Sequence, residues 1–212
     1  MLRLLLIRHG RSEMNAQGRI QGWLDSPLDD LGRAQAHAVA RRLQCEGPAV
    51  LYASDLRRAW ETAQIIGQVL DIPLIPDARL RERNLGDIAG LSGEEIRDRF
   101  PDMVREWESS QRMRSAPGGE QPADFWARVV AAFDEIVGRH PQGVVGVVTH
   151  GGVLATYMSH LMGLEVGRWG LLSFNNGSLS AVEFTGKGAR IRWVNDCCHL
   201  DGVAPPSAAG PA

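Results

Sequence analysis

The stretch Leu2-Arg3-Leu4-Leu5-Leu6-Ile7-Arg8-His9-Gly10 decides the fold. An apolar strand, Leu2 to Ile7, runs straight into Arg8-His9-Gly10, placing a guanidinium and an imidazole where a strand ends and a loop opens. Ligands of α/β sheets sit outside such strand ends. Gly10 lets the backbone approach a neighbour closely or take φ > 0. An imidazole is a competent nucleophile toward phosphorus, and an arginine fork matches phosphate oxygens. Taken alone, Arg-His-Gly reads as surface residues at a strand end; the rest of the chain reverses that reading.

A second segment is built the same way. Gly143 to Thr149 is almost entirely Val and Gly, as expected of a strand buried on both faces, and it delivers His150-Gly151-Gly152 into a helix running to about Met162. In a parallel sheet both strands end on one side, so His9 and His150 can converge. His150 also opens a helix, where free N–H groups and the dipole favour an anion.

Between these segments strand and helix signals alternate, which argues for an α/β sheet. After the loop 10–29 a helix is expected from about Leu31 to Cys45, then a strand Val50 to Ala53 and a helix to about Leu70 with Ser54 as a plausible N-cap. Ile72 to Ile75 reads as a short strand. Ser92 and Glu95 form a capping box that opens a Trp-bearing helical excursion through about Arg112. Phe125, Val129, Phe133 and Ile136 lie at helical spacing, which predicts a helix from about Pro122 to Arg139. Two last strands, near Ser178 to Phe184 and Arg190 to Val194, read as a hairpin around Gly186-Lys187-Gly188. The expected architecture is a three-layer α/β/α domain over residues 1–203, with a mostly parallel central sheet, helices on both faces and a small helical excursion at about 90–125. The Pro/Ala/Gly tail 204–212 is expected to be disordered.

Composition narrows the function classes. The 212 residues suffice for one domain with a sizeable core. The net charge of −2 gives no basic field for nucleic acid or acidic membrane. All basic residues but Lys187 are arginine, a bias that a GC-rich genome produces and that is no argument for phosphate binding. The apolar start is broken by Arg3 and ends at Arg8, too short for a signal segment or a span. Three cysteines, Cys45, Cys197 and Cys198, suit a reduced cytoplasmic compartment. No spacing proposes a metal site, and neither metal nor cofactor is expected.

Arginine and carboxylate candidates follow. In Ser54-Asp55-Leu56-Arg57-Arg58-Ala59 either Arg57 or Arg58 could face the site, although surface arginines are the rule. Leu80-Arg81-Glu82-Arg83-Asn84-Leu85-Gly86 sets a carboxylate among arginines. Together with Ser12-Glu13, Asn15, Gly22-Trp23, Thr62-Ala63, Gly118-Gly119-Glu120 and His150-Gly151, these segments resemble the histidine phosphatase superfamily, which includes cofactor-dependent phosphoglycerate mutases. The matching elements run in the family's order across roughly residues 2–200.

The resemblance implies a role for each matching position. His9 would be the nucleophile that forms a phosphohistidine. Arg8, Arg58 and His150 would hold the phosphoryl oxygens, with Asn15 adding a donor. Gln21, Gly22 and Gly151 would help line the substrate site. Glu82 would protonate the leaving oxygen and then help deprotonate water. These residues supply positive donors without a metal, as phosphoryl transfer requires. Three features resemble the broad-specificity phosphatase branch more than the mutases: a shorter span between Glu82 and His150, Glu82-Arg83-Asn84-Leu85-Gly86 in place of the mutase-like Glu-Arg-His-Tyr-Gly, and the late Asn195-Asp196-Cys197-Cys198-His199-Leu200. That branch includes metal-independent phosphoserine phosphatases and α-ribazole phosphatases. The reading is therefore a metal-independent phosphatase of small phosphorylated metabolites. A phosphoglycerate mutase, a protein phosphohistidine phosphatase and a non-catalytic phospho-ligand binder are the alternatives. A sheet edge could also pair in a homodimer, as in similar proteins.

Specificity is expected from the excursion at 90–125 and the loop 10–25. Arg11, Arg19, Arg81, Arg83, Arg112 and Arg114 could meet a substrate anion, each against a plain surface reading. Trp23, Phe100, Trp107 and Trp126 could line an apolar wall or simply pack. His199 is read as structural, and His37, His140 and His160 are assigned nothing.

Overall fold

The structure is a computed structural model that describes residues 1–110, 115–167 and 171–204. Leu2–Arg8 forms strand β1, with β4 (Gly143–Thr149) parallel on one side and β5 (Leu179–Thr185) antiparallel on the other. Beyond β4 lie β2 (Leu51–Ala53) and β3 (Leu74–Pro76), both parallel, and beyond β5 lies β6 (Gly188–Asp196), antiparallel. The order is β3-β2-β4-β1-β5-β6. The parallel half is the expected one, and the hairpin β5–β6 closes the other edge.

Side chains alternate across β1 with period two, so its apolar run feeds two cores. Leu2, Leu4 and Leu6 pack against Phe125, Val129 and Phe133 of α6 (Pro122–Arg139) and Leu154 and Tyr157 of α7 (Gly151–Leu161). Leu5 and Ile7 pack against Val39 and Leu43 of α2 (Asp30–Gln44) and Ala59, Ala63 and Ile66 of α3 (Arg57–Leu70). Each fully buried side chain of this kind contributes roughly 1.5–3 kcal/mol, so β1 is pinned from both faces. The register sets Arg8 opposite Thr149, and His9 N–H donates to the Thr149 carbonyl at 2.9 Å. The next residue on each strand is therefore a histidine, side by side with the other.

Gly10 serves close packing rather than positive φ. A Cβ there would lie 2.4 Å from the Gly32 carbonyl oxygen, and one on Gly32 would lie 1.9 Å from that of Arg11. Two glycines thus let the first turn of α2 seat against the loop that follows His9. Asp29 caps that turn, accepting from Gly32 N–H at 2.7 Å. Within 10–29, read as loop, a four-residue helix α1 (Glu13–Ala16) forms on a Ser12–Asn15 capping box. Asparagine replaces the usual Glu or Gln of that motif, which hides it in the sequence.

Two further expectations change. Ser54 does not cap α3: Leu56 occupies that position without a side-chain bond, and the Ser54 hydroxyl turns toward His150. The excursion is two helices, α4 (Gly93–Arg99) and α5 (Pro101–Ser110), broken at Phe100. Pro101 lacks an amide donor and pushes the residue before it out of the helical region; Phe100 sits at φ −130°, ψ 51°. The Ser92–Glu95 capping box is present. Ile88, Ile96 and Ala116 centre a small core with Phe100 and Trp107, so the excursion is a packed cap. The expected disordered tail lies, apart from Ala204, outside the described residues. Among the described residues no helix is long and apolar enough to cross a membrane.

Candidate active site

His9 and His150 meet as the strand register requires, with ring centroids 5.1 Å apart. Both are buried, at 2% and 0% exposure. His9 Nδ1 lies 2.7 Å from the Gly10 carbonyl oxygen, which can only accept, so Nδ1 carries the proton. The Nε2 lone pair then accepts from Arg58 Nε at 3.3 Å. Burial, followed by the charges of Arg58 and Arg8, holds His9 well below the ordinary histidine value. It is a neutral imidazole of defined tautomer. His150 is held low by burial and then by Arg58. Its Nε2 lies 2.8 Å from the Ser54 hydroxyl, and its Nδ1 has no partner among the described residues.

Arg58, at the start of α3, is 1% exposed; Arg57 beside it is exposed and paired with Glu61 at 2.7 Å. The phase of the helix resolves which arginine turns inward. Carbonyls of Leu24 and Gly22 accept from Arg58 at 3.0 and 2.8 Å and fix the fork. Burial brings Arg58 down to about 10, so it stays charged at neutral pH. Arg8 bonds the Phe174 carbonyl, while its buried Nε has no partner among the described residues; burial lowers it too.

Glu82 is held by backbone donors. Its Oε2 accepts from Gly152 N–H in the first turn of α7, and its Oε1 from Arg83 N–H, each at 2.9 Å. The helix start expected to attract an anion thus already receives a carboxylate of the protein. Arg128 secures the segment that carries it, donating to the carbonyls of Arg79 and Arg81 at 2.8 Å and of Glu82 at 2.9 Å. Arg128 also forms a forked ion pair with Glu120 at 2.6 and 2.8 Å. Trp23 Nε1 donates to the Glu82 carbonyl as well, at 2.6 Å.

These groups border a cavity of about 460 Å³ lined by Arg8, His9, Asn15, Gln21, Gly22, Arg58, Glu82 and Gly151, with the cap as its far wall. His150 stands behind His9 rather than on the wall. Asn15 Oδ1 is engaged by Ser12 and Asn176, leaving its NH₂ without a partner among the described residues. Gln21 is tied to the Ser12 hydroxyl at 2.9 Å.

The remaining arginine candidates separate clearly. Arg11 pairs with Asp29 at 2.6 Å, and Arg81 with Asp55 at 2.6 Å while lying over the Trp23 ring. Arg19 and Arg83 reach the cavity wall; Arg112 and Arg114 lie outside the described residues. Trp107 lines the cavity, whereas Phe100 packs in the cap core and Trp126 against His160. His199 accepts the structural reading: it meets the Gly177 carbonyl at 2.9 Å, and Gly177 N–H donates to the carbonyls of Arg8 and His9. The three cysteines are free thiols.

Sequence reasoning missed Ser54, Asn176 and the Arg128–Glu120 pair. Asn176 Nδ2 donates to the His9 carbonyl at 3.2 Å and to Asn15. Glu120 ends the Gly118-Gly119-Glu120 motif, the one signal that pointed toward this pair.

Comparison with known proteins agrees with the geometry. A family described as "Histidine phosphatase superfamily (branch 1)" matches residues 4–197. The chain is 38% identical over 192 residues to a glucosyl-3-phosphoglycerate phosphatase of Mycolicibacterium vanbaalenii, covering 87% of this chain and 84% of that one. It is 37% identical over 206 residues to a metal-independent phosphoserine phosphatase of Arabidopsis thaliana, covering 94% and 84%. The solved structure of a mycobacterial glucosyl-3-phosphoglycerate phosphatase in complex with VO3 superposes with a TM-score of 0.83 at 32% identity, covering 92% of this chain and 99% of that one. The chain belongs to the histidine phosphatase superfamily, branch 1, as a phosphomonoester hydrolase of the histidine phosphatase type.

Proposed function

We propose that this chain hydrolyses small phosphomonoesters without a metal, through a phosphohistidine on His9. The observation that carries the reading is the neutral His9, whose protonated Nδ1 is held by the Gly10 carbonyl and whose Nε2 lone pair faces Arg58 at the polar end of the cavity. In the first step Nε2 attacks phosphorus in line, a P–N bond forms, and the P–O bond to the alcohol breaks. Arg8, Arg58 and the Asn15 NH₂ hold the phosphoryl oxygens as charge spreads over them, and His150, buried beside His9 off the cavity wall, does not take the oxygen-holding role expected of it. An alkoxide is a poor leaving group, so a positioned acid is needed; Glu82 gives it a proton and the alcohol departs. Water then enters, Glu82 takes its proton, oxygen attacks phosphorus, and the P–N bond breaks to release phosphate. Guanidinium and amide donors take the place that a metal has in other phosphatases.

The test is product analysis with 3-phosphoglycerate, phosphoserine and an aryl phosphate, in chelator, with and without 2,3-bisphosphoglycerate. Free phosphate from wild type but not from His9→Ala is the expected result. Isomerised phosphoglycerate that depends on the bisphosphate, with little free phosphate, would make the protein a mutase instead. Label from a phosphorylated substrate should be acid-labile and base-stable and absent in His9→Ala; label that persists moves the nucleophile elsewhere. Glu82→Ala should slow alkyl esters far more than an ester with a good leaving group.

A further inference from the structure

The cavity lining divides chemically. Arg8, His9, Arg58 and Glu82 supply its charged part, and Ile20, Leu85, Ile96 and Trp107 of the cap core, with Phe125 and Leu172 of the main core, supply an apolar lobe. Four of these six also belong to the small core of the cap, so the wall is built by packing and is not a chance exposure. Two guanidinia border this lobe among the described residues, and both are engaged by the protein. Arg19 is held by Glu95 at 2.7 Å and by the Gly90 carbonyl at 2.6 Å. Arg83 is held by the Glu120 carbonyl at 3.0 Å and the Ser115 hydroxyl at 2.9 Å.

We infer that the alcohol carried by the substrate is apolar: an aromatic or branched aliphatic group of several carbons beside the phosphoester, rather than a small carboxylated or sugar alcohol. The inference rests on the proposed phosphomonoesterase reading of the same site. A carboxylate or hydroxyl seated against Ile20, Leu85 and Ile96 would lose its water without gaining a partner from those side chains. An alkyl or aryl group would gain by leaving water there. This departs from the substrates in the relatives' names, phosphoserine and glucosyl-3-phosphoglycerate, which are acidic and polar.

The first arm measures binding and needs no turnover. Methyl-, n-butyl-, n-hexyl- and 2-phenylethylphosphonate are compared with 3-carboxypropylphosphonate by calorimetry on the wild-type protein. Affinity should rise roughly two- to fourfold per methylene, the upper figure being the ~0.8 kcal/mol of a buried CH₂. The carboxylated ligand should bind no better than methylphosphonate. Ala155→Phe, which fills the lobe from α7, should abolish the dependence on chain length. The second arm compares kcat/KM for benzyl phosphate and phosphoserine, with benzyl phosphate preferred at least tenfold. A flat phosphonate series, tightest binding by the carboxylated ligand, or a preference for phosphoserine would each overturn the inference. If affinity rises with chain length but no ester releases phosphate, the hydrolase reading fails and the apolar lobe stands. If phosphate is released and the series is flat, the reverse holds.

Discussion

Gly152→Ala tests the placement of the general acid with a single methyl group. A Cβ at this position would stand 2.3 Å from Glu82 Oε1, 3.0 Å from its Cδ and 3.2 Å from Oε2. Ordinary contact requires the carboxylate to retreat by roughly 1 Å. The obstructing atoms are the far end of a side chain, so the helix stays where it is and the glutamate moves. Gly152 lies in the first turn of α7 without positive φ. Alanine is therefore admissible there and stabilises the helix by up to ~1 kcal/mol, which offsets the small cost of turning Glu82 aside. The fold should hold its Tm while the chemistry fails. A misplacement of ~1 Å costs about 10²-fold, within the roughly 10²–10⁴ that general acid catalysis supplies. At ~1.36 kcal/mol per decade, 10² is about 2.7 kcal/mol of transition-state stabilisation. The assay is kcat/KM for benzyl phosphate against 4-nitrophenyl phosphate, whose phenolate leaves without a proton. The expected result is about a hundredfold loss on the benzyl ester and a few-fold loss on the aryl ester. Equal losses on both, or full activity on both, would refute the assignment of Glu82 as the acid held by this helix start.

Arg128 is a positioning residue for the same group. Arg128→Gln should lower kcat on alkyl esters about tenfold and on 4-nitrophenyl phosphate much less, and should destabilise the fold by about 2–4 kcal/mol because the largely buried Glu120 loses its forked ion pair and keeps only the Asn84 N–H on its carboxylate, with Arg83 nearby. Arg128→Leu combined with Glu120→Leu should regain part of that stability without restoring the alkyl ester rate; a restored rate would make the pair merely structural. The two buried histidines link stability to pH. Both are depressed below the ordinary 6.5 by burial first and nearby arginine charge second. The unfolded chain therefore binds more protons between the depressed folded values and 6.5. Stability should be level above about pH 6.5 and fall as the pH drops below it, and His150→Asn should flatten part of that fall in Tm measured from pH 7.5 to 5. An unchanged slope would show that His150 is not the neutral buried group described.

Much of the fold was legible because its causes are local. The apolar runs of β1 and β4, the helical spacing of Phe125, Val129, Phe133 and Ile136, and the Ser92–Glu95 cap each declare an element within a few residues. The errors were also local competitions. Pro101 ended a helix that charge and length alone extended, and Ser54, an ordinary N-cap by residue type, found a better partner in His150.

The sequence by itself determined that two strands deliver histidines, that arginines and a carboxylate follow in a recognisable order, and that the domain is α/β. Tertiary structure decided which of these groups act together. Arg8 faces Thr149 across the sheet, and only that register brings His9 beside His150. Helix phase buries Arg58 and leaves Arg57 outside. Glu82 meets Gly152 across 70 residues of chain, and the Gly10 carbonyl selects the tautomer of His9. Period and residue type are properties of a short segment and survive in the sequence. Register, helix phase and the partner of a buried polar atom are set by everything packed around it, and they exist only once the chain is folded.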